Sequence, residues 1–238
     1  MALYIILMGV QGAGKGEQAK FIREQYGIPH VSTGDLFRAM RTREDDLARR
    51  VQTIMAEGRL VDDATTNEVV EDRLNQDDAQ NGVIFDGYPR TPAQAQWLEG
   101  YLERKGERVN AVILLELDLY TAFKRAFGRV THAQTGKSYN IYFNSEGITW
   151  EFIDYPDNAL FPPRLKAVET ETGAELVRRP DDASAHAILK RIDTFVETTT
   201  PLINYFTAKG LVRRINADQS IEAVGEDIKA AIEESKRS

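Results

Sequence analysis

At 238 residues, 42% hydrophobic and 28% charged, the chain has the composition of a globular protein and the length of one domain with room for insertions. Its net charge of −7 argues against broad binding to a nucleic-acid backbone, so any phosphate chemistry requires a local basic cluster. The absence of cysteine removes disulfides and cysteine-ligated zinc, and no apolar run approaches the ~18–20 residues that span a bilayer. A cytoplasmic enzyme is the expectation.

The first apolar run, Leu3 to Met8, has neither a basic leader nor a small-residue cleavage site, so it is read as a buried strand and not as a signal peptide. A Gly-rich turn follows, then a helix over Lys15–Tyr26, a short strand at Ile28–Val31 and a polar helical stretch from Gly34 to about Gly58. Asp62 or Asp63 caps a helix through Thr66–Leu74, in which Val69, Val70 and Leu74 recur at helical spacing. Val83–Phe85 is a third strand, and Thr91-Pro92 is an N-cap followed by proline at the first helical position. Val112–Leu117 is continuously apolar, as expected of a strand covered on both faces. Tyr120–Arg129 reads as a helix, which puts Arg125 and Arg129 on one helical face. Asp181 or Asp182 begins a long helix interrupted near Pro201, Leu211–Ile215 is the last strand, and Ile221–Ile232 the last helix.

Strands separated by helices predict a parallel sheet with right-handed crossovers. Residues 130–178 break that rhythm. They carry Tyr139, Tyr142, Phe143, Trp150, Phe152, Tyr155 and Phe161 among many Gly, Pro, Asn and Thr. Such a span predicts an inserted unit of β-hairpins, with its aromatics expected to form a small core.

Gly9-Val10-Gln11-Gly12-Ala13-Gly14-Lys15-Gly16 lies directly after the first strand and opens the first helix. In that context glycines let backbone N–H groups converge on phosphate oxygens, the helix N-terminus adds positive potential, and Lys15 reaches the terminal phosphates. An ordinary Gly-rich turn with a surface lysine is the competing explanation. Ser32-Thr33-Gly34-Asp35 reads locally as a helix N-cap with an acidic first turn. Asp86-Gly87-Tyr88-Pro89-Arg90 stands at the C-terminal end of the third strand, where open α/β sheets place ligands. Gln94, three residues after Thr91, makes a capping box by itself.

Taken in order, these motifs and Arg125-x-x-Gly128-Arg129 resemble the adenylate kinases and their nucleoside monophosphate kinase relatives over the whole chain except its centre. The resemblance implies an α/β fold of the P-loop NTPase type, a three-layer sandwich on a five-stranded parallel sheet. Its core would comprise 1–31, 62–129 and 180–238, with a helical NMP-binding insertion at 32–61 and an enlarged β-rich ATP lid at 130–179. It implies the reaction ATP + AMP ⇌ 2 ADP with Mg²⁺, in line and without a covalent intermediate. A monomer without structural zinc, nucleic-acid partner or membrane partner goes with it.

The same resemblance assigns residues. Gly12, Ala13, Gly14, Lys15, Gly16 and Glu17 would take the ATP phosphates; Arg125 would pack on the donor adenine and Arg129 contact its phosphates. Ser138, Tyr139 and Gln219 fall at donor-adenine positions. Thr33, Arg38, Arg59, Leu60, Val61, Gly87, Tyr88, Pro89, Arg90 and Gln94 belong to the AMP site, with Arg90 clamping the α-phosphate and Gln94 reading the adenine edge. Thr33 favours AMP, because UMP- and CMP-specific relatives usually carry Ala there. Arg179 and Arg191 would serve both nucleotides in the transfer, with Lys190 as the alternative to Arg191 because one residue is added after Asp182. Asp86 would position Mg²⁺ through waters. Two departures stand out: Gln11 replaces the usual Pro, and Glu17 the usual Thr, where its carboxylate either meets the metal or faces solvent. A kinase for another monophosphate, or a regulatory nucleotide-binding module with little turnover, are the competing functions.

Overall fold

The computed structural model describes residues 2–57, 61–153, 164–179, 182 and 184–237. Gly58, Arg59, Leu60, Tyr155, Phe161, Pro180 and Asp181 lie outside the described residues. Two compact units result: Gly14–Glu116 and Glu197–Ser238 with the first strand, and Val10–Ala13 with Leu117–Val196.

The first unit is built on a parallel sheet of β1 (Leu3–Gly9), β2 (His30–Ser32), β3 (Gly82–Asp86), β4 (Val109–Glu116) and β10 (Val212–Asn216), in the order β10-β4-β1-β3-β2. Every residue of β1 is buried, as a central strand covered on both faces requires. Tyr4, Ile6 and Met8 join Phe85, Leu98, Leu102, Leu114, Leu202 and Phe206 in one cluster. The intervening Ile5 and Leu7 face the other side, because side chains alternate along a strand, and are equally buried. Helix α1 (Lys15–Tyr26) packs with α8 (Ile221–Arg237). The parallel sheet and the helix after the first strand confirm the expected architecture.

Several boundaries differ from expectation. The stretch read as one helical region is two helices, α2 (Thr33–Met40) and α3 (Asp46–Ala56). Asp45 starts the second by accepting the Ala48 N–H at 3.0 Å, and the Gln52 amide takes the carbonyls of Met40 and Arg43 at 2.7 and 2.9 Å. Helix α4 (Asp63–Leu74) is capped by Asp62, and α5 (Pro92–Glu103) by Thr91.

In the second unit α6 (Leu119–Phe127) stops before Arg129. The chain turns at Gly128 into β5 (Arg129–His132), so Arg125 and Arg129 do not share a helical face. Asn140 secures the turn by donating to the Arg125 carbonyl at 2.9 Å. Helix α7 (Ala185–Ala208) begins with a Ser184 cap instead of at Asp181 or Asp182, and it runs unbroken through Pro201. Pro201 and Glu197 are both exposed, so the carbonyl that loses its usual partner lies on a hydrated face.

Strands β5, β6 (Ser138–Asn140), β7 (Ile148–Ile153), β8 (Arg164–Glu169) and β9 (Glu175–Val177) form an antiparallel sheet in the order β6-β5-β9-β8-β7. Its core is Val130, Tyr139, Ile141, Ile148, Leu165, Ala167 and Leu176. The aromatics were expected to make that core, but Tyr142, Phe143, Trp150 and Phe152 are exposed, with Trp150 edge-on to Phe152. Six of the seven core positions are filled by aliphatic side chains and the seventh by Tyr139, whereas Trp150 and Phe152, on the same face of β7 as Ile148, stay exposed. Among the described residues no helix is long and apolar enough to cross a membrane.

Candidate active site

The phosphate loop is shaped by glycine. Gly12 has φ 90°, and a Cβ there would stand 2.6 Å from the Ala122 carbonyl, so any other residue would push the loop off α6. Gly14, also left-handed, caps α1 without a side-chain bond, which leaves the first-turn N–H groups directed at whatever anion lies before the helix. Lys15 Nζ donates to the Gly9 carbonyl at 2.6 Å. Glu17 is exposed in the first turn, where a carboxylate suits the helix dipole. Gln18 beside it is buried and donates to the Ile221 carbonyl at 2.9 Å.

On the proposed acceptor side, the chain after β2 and β3 brings two motif side chains onto one backbone atom of a third motif residue. The Gly87 carbonyl accepts Thr33 Oγ1 at 3.1 Å and Arg90 Nε at 2.9 Å. Gly87 has φ 74°, and a Cβ on it would meet Thr33 Oγ1 at 3.1 Å and Arg90 Nη2 at 3.3 Å, so the residue must be glycine for this approach. Thr33 is 3% exposed. The Arg90 side chain reaches the surface, and Arg38 is paired with Asp35 on an exposed face. Tyr88 contributes no polar group outward: its ring is buried and its hydroxyl donates to Asn67 at 2.6 Å. Burial, with the nearby Asp63 carboxylate, pushes its pKa up. Pro89 follows it in a cis peptide and is buried, and Val61 is half-buried.

Asp86, at the end of β3, lies 3.3 Å from His30 Nε2. Its hard carboxylate oxygens suit Mg²⁺, which keeps several waters and takes few protein ligands. Among the described residues no group of three or more His, Cys, Asp or Glu could hold a metal by itself, so such an ion would rely on phosphates and water for most of its shell. A cavity of about 330 Å³ beside β2 and α4 shares no residue with the acceptor cluster. Its cations Arg43 and Arg73 are already paired with Asp72 and Asp78.

In the second unit the organising atom is a carboxylate. Asp182 is 0% exposed. It accepts from Gln11 Nε2, from Arg129 through Nε at 3.1 Å and Nη2, and from Arg191 Nη1 at 3.5 Å. Residues from the phosphate loop, β5 and α7 thus converge on one buried charge. Lys190 is exposed, and the contact with Asp182 is made by Arg191. Arg125 lies with its guanidinium 5.7 Å from the Phe143 ring centre, a cation–π distance. Arg179 is exposed.

The antiparallel sheet is tied by two facing turns. His132 Nδ1 accepts the N–H groups of Gln134 and Thr135 at 3.2 and 3.3 Å, and its Nε2 lies 3.8 Å from Glu169. Glu169 accepts from Tyr139 Oη at 2.5 Å and Thr172 Oγ1 at 2.7 Å, bonds that hold its carboxyl below the usual range. Tyr139 therefore has its hydroxyl engaged in the sheet core. Ser138 is exposed, as is Gln219, whose amide donates to the Asn216 carbonyl and Asp227 at 2.8 and 2.9 Å.

Sequence reasoning missed Asp182 as a hub, Asp63 as a partner of Gln94, and Phe143 beneath Arg125. The one available signal for Asp182 was its place three residues after Arg179 in the Arg179-Pro180-Asp181-Asp182 run.

Comparison with known proteins adds three relatives and a family. The sequence model of the family described as adenylate kinase matches residues 7–211. An adenylate kinase of Shouchella clausii is 36% identical over 232 residues, covering 98% of this chain and 99% of the relative. Another from Thermoanaerobacter sp. (strain X514) is 38% identical over 228 residues, 96% and 97% of the two chains. One from Moorella thermoacetica is 38% identical over 220 residues, 92% and 93%.

Proposed function

The chain belongs to the adenylate kinase family, a family of phosphotransferases, and from that premise we propose how its own residues move the terminal phosphoryl group of ATP to AMP to give two ADP. The observation that carries the proposal is the convergence of Gln11, Arg129 and Arg191 on Asp182. It fixes guanidinium groups from separate parts of the chain beside a phosphate loop, which is what a reaction driven by positioning and cationic stabilisation needs.

In this reading Lys15 and the N–H groups of Gly12 to Glu17 hold the donor phosphates. Arg129, Arg179 and Arg191 stabilise the charge that spreads over the transferred group, and Arg191 is preferred to Lys190 because of its bond to Asp182. Arg125, backed by Phe143, stacks on the donor adenine, with Ser138, Tyr139 and Gln219 meeting it through backbone. Arg90 clamps the AMP phosphate with the planar fork that suits it, Arg38 also binds the acceptor nucleotide, Thr33 and Gln94 face the base, and Arg59, Leu60 and Val61 frame it. When bound with ATP, Mg²⁺ would supply charge neutralisation; Asp86 would position it through waters, and Glu17, exposed in the first turn of α1, is the second candidate to hold it. Residues 32–61 are proposed as the acceptor-binding insertion and 130–179 as a lid that excludes water during transfer. A cytoplasmic monomer is the proposed state.

The test is a coupled assay with ATP and each of AMP, UMP, CMP and GMP. AMP is expected to be fastest, with turnover on the order of 10–10³ s⁻¹. Another monophosphate outperforming AMP would overturn the acceptor assignment, and no ADP from any pair would overturn the enzyme reading.

A further inference from the structure

The side-chain amide of Gln94 is held at both ends. Nε2 donates to Asp63 Oδ1 at 2.7 Å, Oε1 accepts the Arg90 backbone N–H at 2.7 Å, and the residue is 5% exposed. An ionised carboxylate only accepts and a backbone N–H only donates, so both neighbours select the same one of the two amide orientations. A flip would set Oε1 against the carboxylate and the NH₂ group against an N–H. Those two opposed contacts would fall where water has little access to relieve them.

Asp63 is itself anchored. Its Oδ2 accepts from Thr91 Oγ1 at 2.7 Å, and Thr91 Oγ1 accepts the Gln94 N–H at 3.1 Å. The ring Asp63–Thr91–Gln94 joins the first residue of α4 to the N-cap of α5. It leaves the carboxylate no freedom to release the amide without breaking the start of a helix.

Two bonds consume one N–H and one lone pair of the amide, so one of each remains. Their order is now fixed. A 6-aminopurine edge presents an N6–H donor beside the N1 acceptor, whereas a 6-oxopurine edge presents the O6 acceptor beside an N1–H donor. A glutamine free to flip satisfies either edge, and a pinned one satisfies a single edge.

We propose that Asp63 is a specificity-determining residue: by pinning the Gln94 amide it makes the acceptor site take 6-aminopurine monophosphates and reject 6-oxopurine monophosphates. The proposal rests on the reading of Gln94 as the residue that meets the acceptor base.

The experiment measures kcat/KM for AMP and IMP, with ATP as donor, in the intact wild-type chain, Asp63→Asn and Gln94→Met. The AMP/IMP ratio within one variant is independent of how much of it is active, so partial misfolding cancels. A site that reads a polar edge rejects the wrong edge strongly, so the wild-type ratio is expected on the order of 10³ or more. Asparagine at 63 can offer either an acceptor or a donor to Gln94, and the ratio is expected to fall about tenfold, the equivalent of one hydrogen bond. If Asp63 only secures the helix starts, both substrates decline together and the ratio keeps its wild-type value, which overturns the proposal. Gln94→Met separates the two layers. A ratio that survives in Gln94→Met shows that Gln94 does not read the base, and removes the ground for the proposal. A ratio that collapses there and stands in Asp63→Asn removes only the pinning.

Discussion

In the acceptor cluster the shared centre is a neutral atom, the carbonyl of Gly87, which accepts from Thr33 and Arg90. In the donor cluster it is the charge of Asp182, which accepts from Gln11, Arg129 and Arg191. The first gathers donors on a backbone atom, at a modest net energy of ~1 kcal/mol per bond, and its strength is direction. The second puts an ion out of water and depends on its partners to make that tolerable. A base is recognised by where donors and acceptors point, and a transferred phosphoryl group by how many positive charges are held in place. In the proposed assignment Thr33 on the Gly87 carbonyl faces the base, and the guanidinium groups on Asp182 serve the transferred phosphoryl group.

The contrast can be broken most forcefully at Asp182. Asp182→Ala leaves Arg129 and Arg191 without their common anion, and breaking a buried pair costs about 3–5 kcal/mol. Because Arg191 is half exposed, the lower end is expected for stability, read as the midpoint of denaturant unfolding. Turnover should fall by about 10² or more, as when a charge-stabilising donor is lost. An unchanged kcat would mean the cluster is structural only. Thr33→Ala gives the complementary outcome. It removes one hydroxyl from the Gly87 carbonyl, so stability should change by about 1 kcal/mol. KM for AMP should rise roughly tenfold, and UMP and CMP should gain relative to AMP. A matching rise in KM for ATP would erase the distinction between the clusters.

The smallest effect is one of pH, and it sharpens the contrast by probing a second carboxylate of the donor unit. Tyr139 and Thr172 hold Glu169 below its ordinary value of 4.5. A depressed folded pKa adds stability that is fully present above about pH 4.5 and is lost as pH falls through the lower folded value. Wild type and Glu169→Gln should therefore differ in melting temperature at pH 7 and converge as the medium is acidified below that window. A difference that persists to pH 3 would locate the effect in packing and not in charge.

Much of the site was legible because its signals are local. The loop after β1 and the Thr91-Pro92 start could be read from a few consecutive residues, and Asp62 caps α4 as its position suggested. Gln94 was partly legible: its spacing from Thr91 marks a capping box, and its backbone N–H does bond Thr91. Its side chain, however, goes to Asp63 and to the Arg90 N–H, and no spacing rule points there. Arg129 was misplaced because a gap of four suggests a helix even where Gly128 ends one. The exposed aromatics of the second unit were misjudged because composition reports what is available for a core and not which positions the fold covers: Trp150 and Phe152 share the face of buried Ile148 yet stay exposed, and Tyr142 and Phe143 fall in a turn.

By itself, then, the sequence determined the order of strands and helices, the phosphate loop and the family. Periodicity, capping and motif spacing act over a handful of residues, and any fold that satisfies them preserves them. The tertiary structure alone decided the partners of Asp182 and the orientation of Gln94. Gln11 is 171 residues from Asp182 and Arg129 is 53, while Asp63 and Gln94 are 31 apart. Contacts at such separations exist only once the chain has closed its sheets, and a buried carboxylate takes as partners whichever donors packing brings to it.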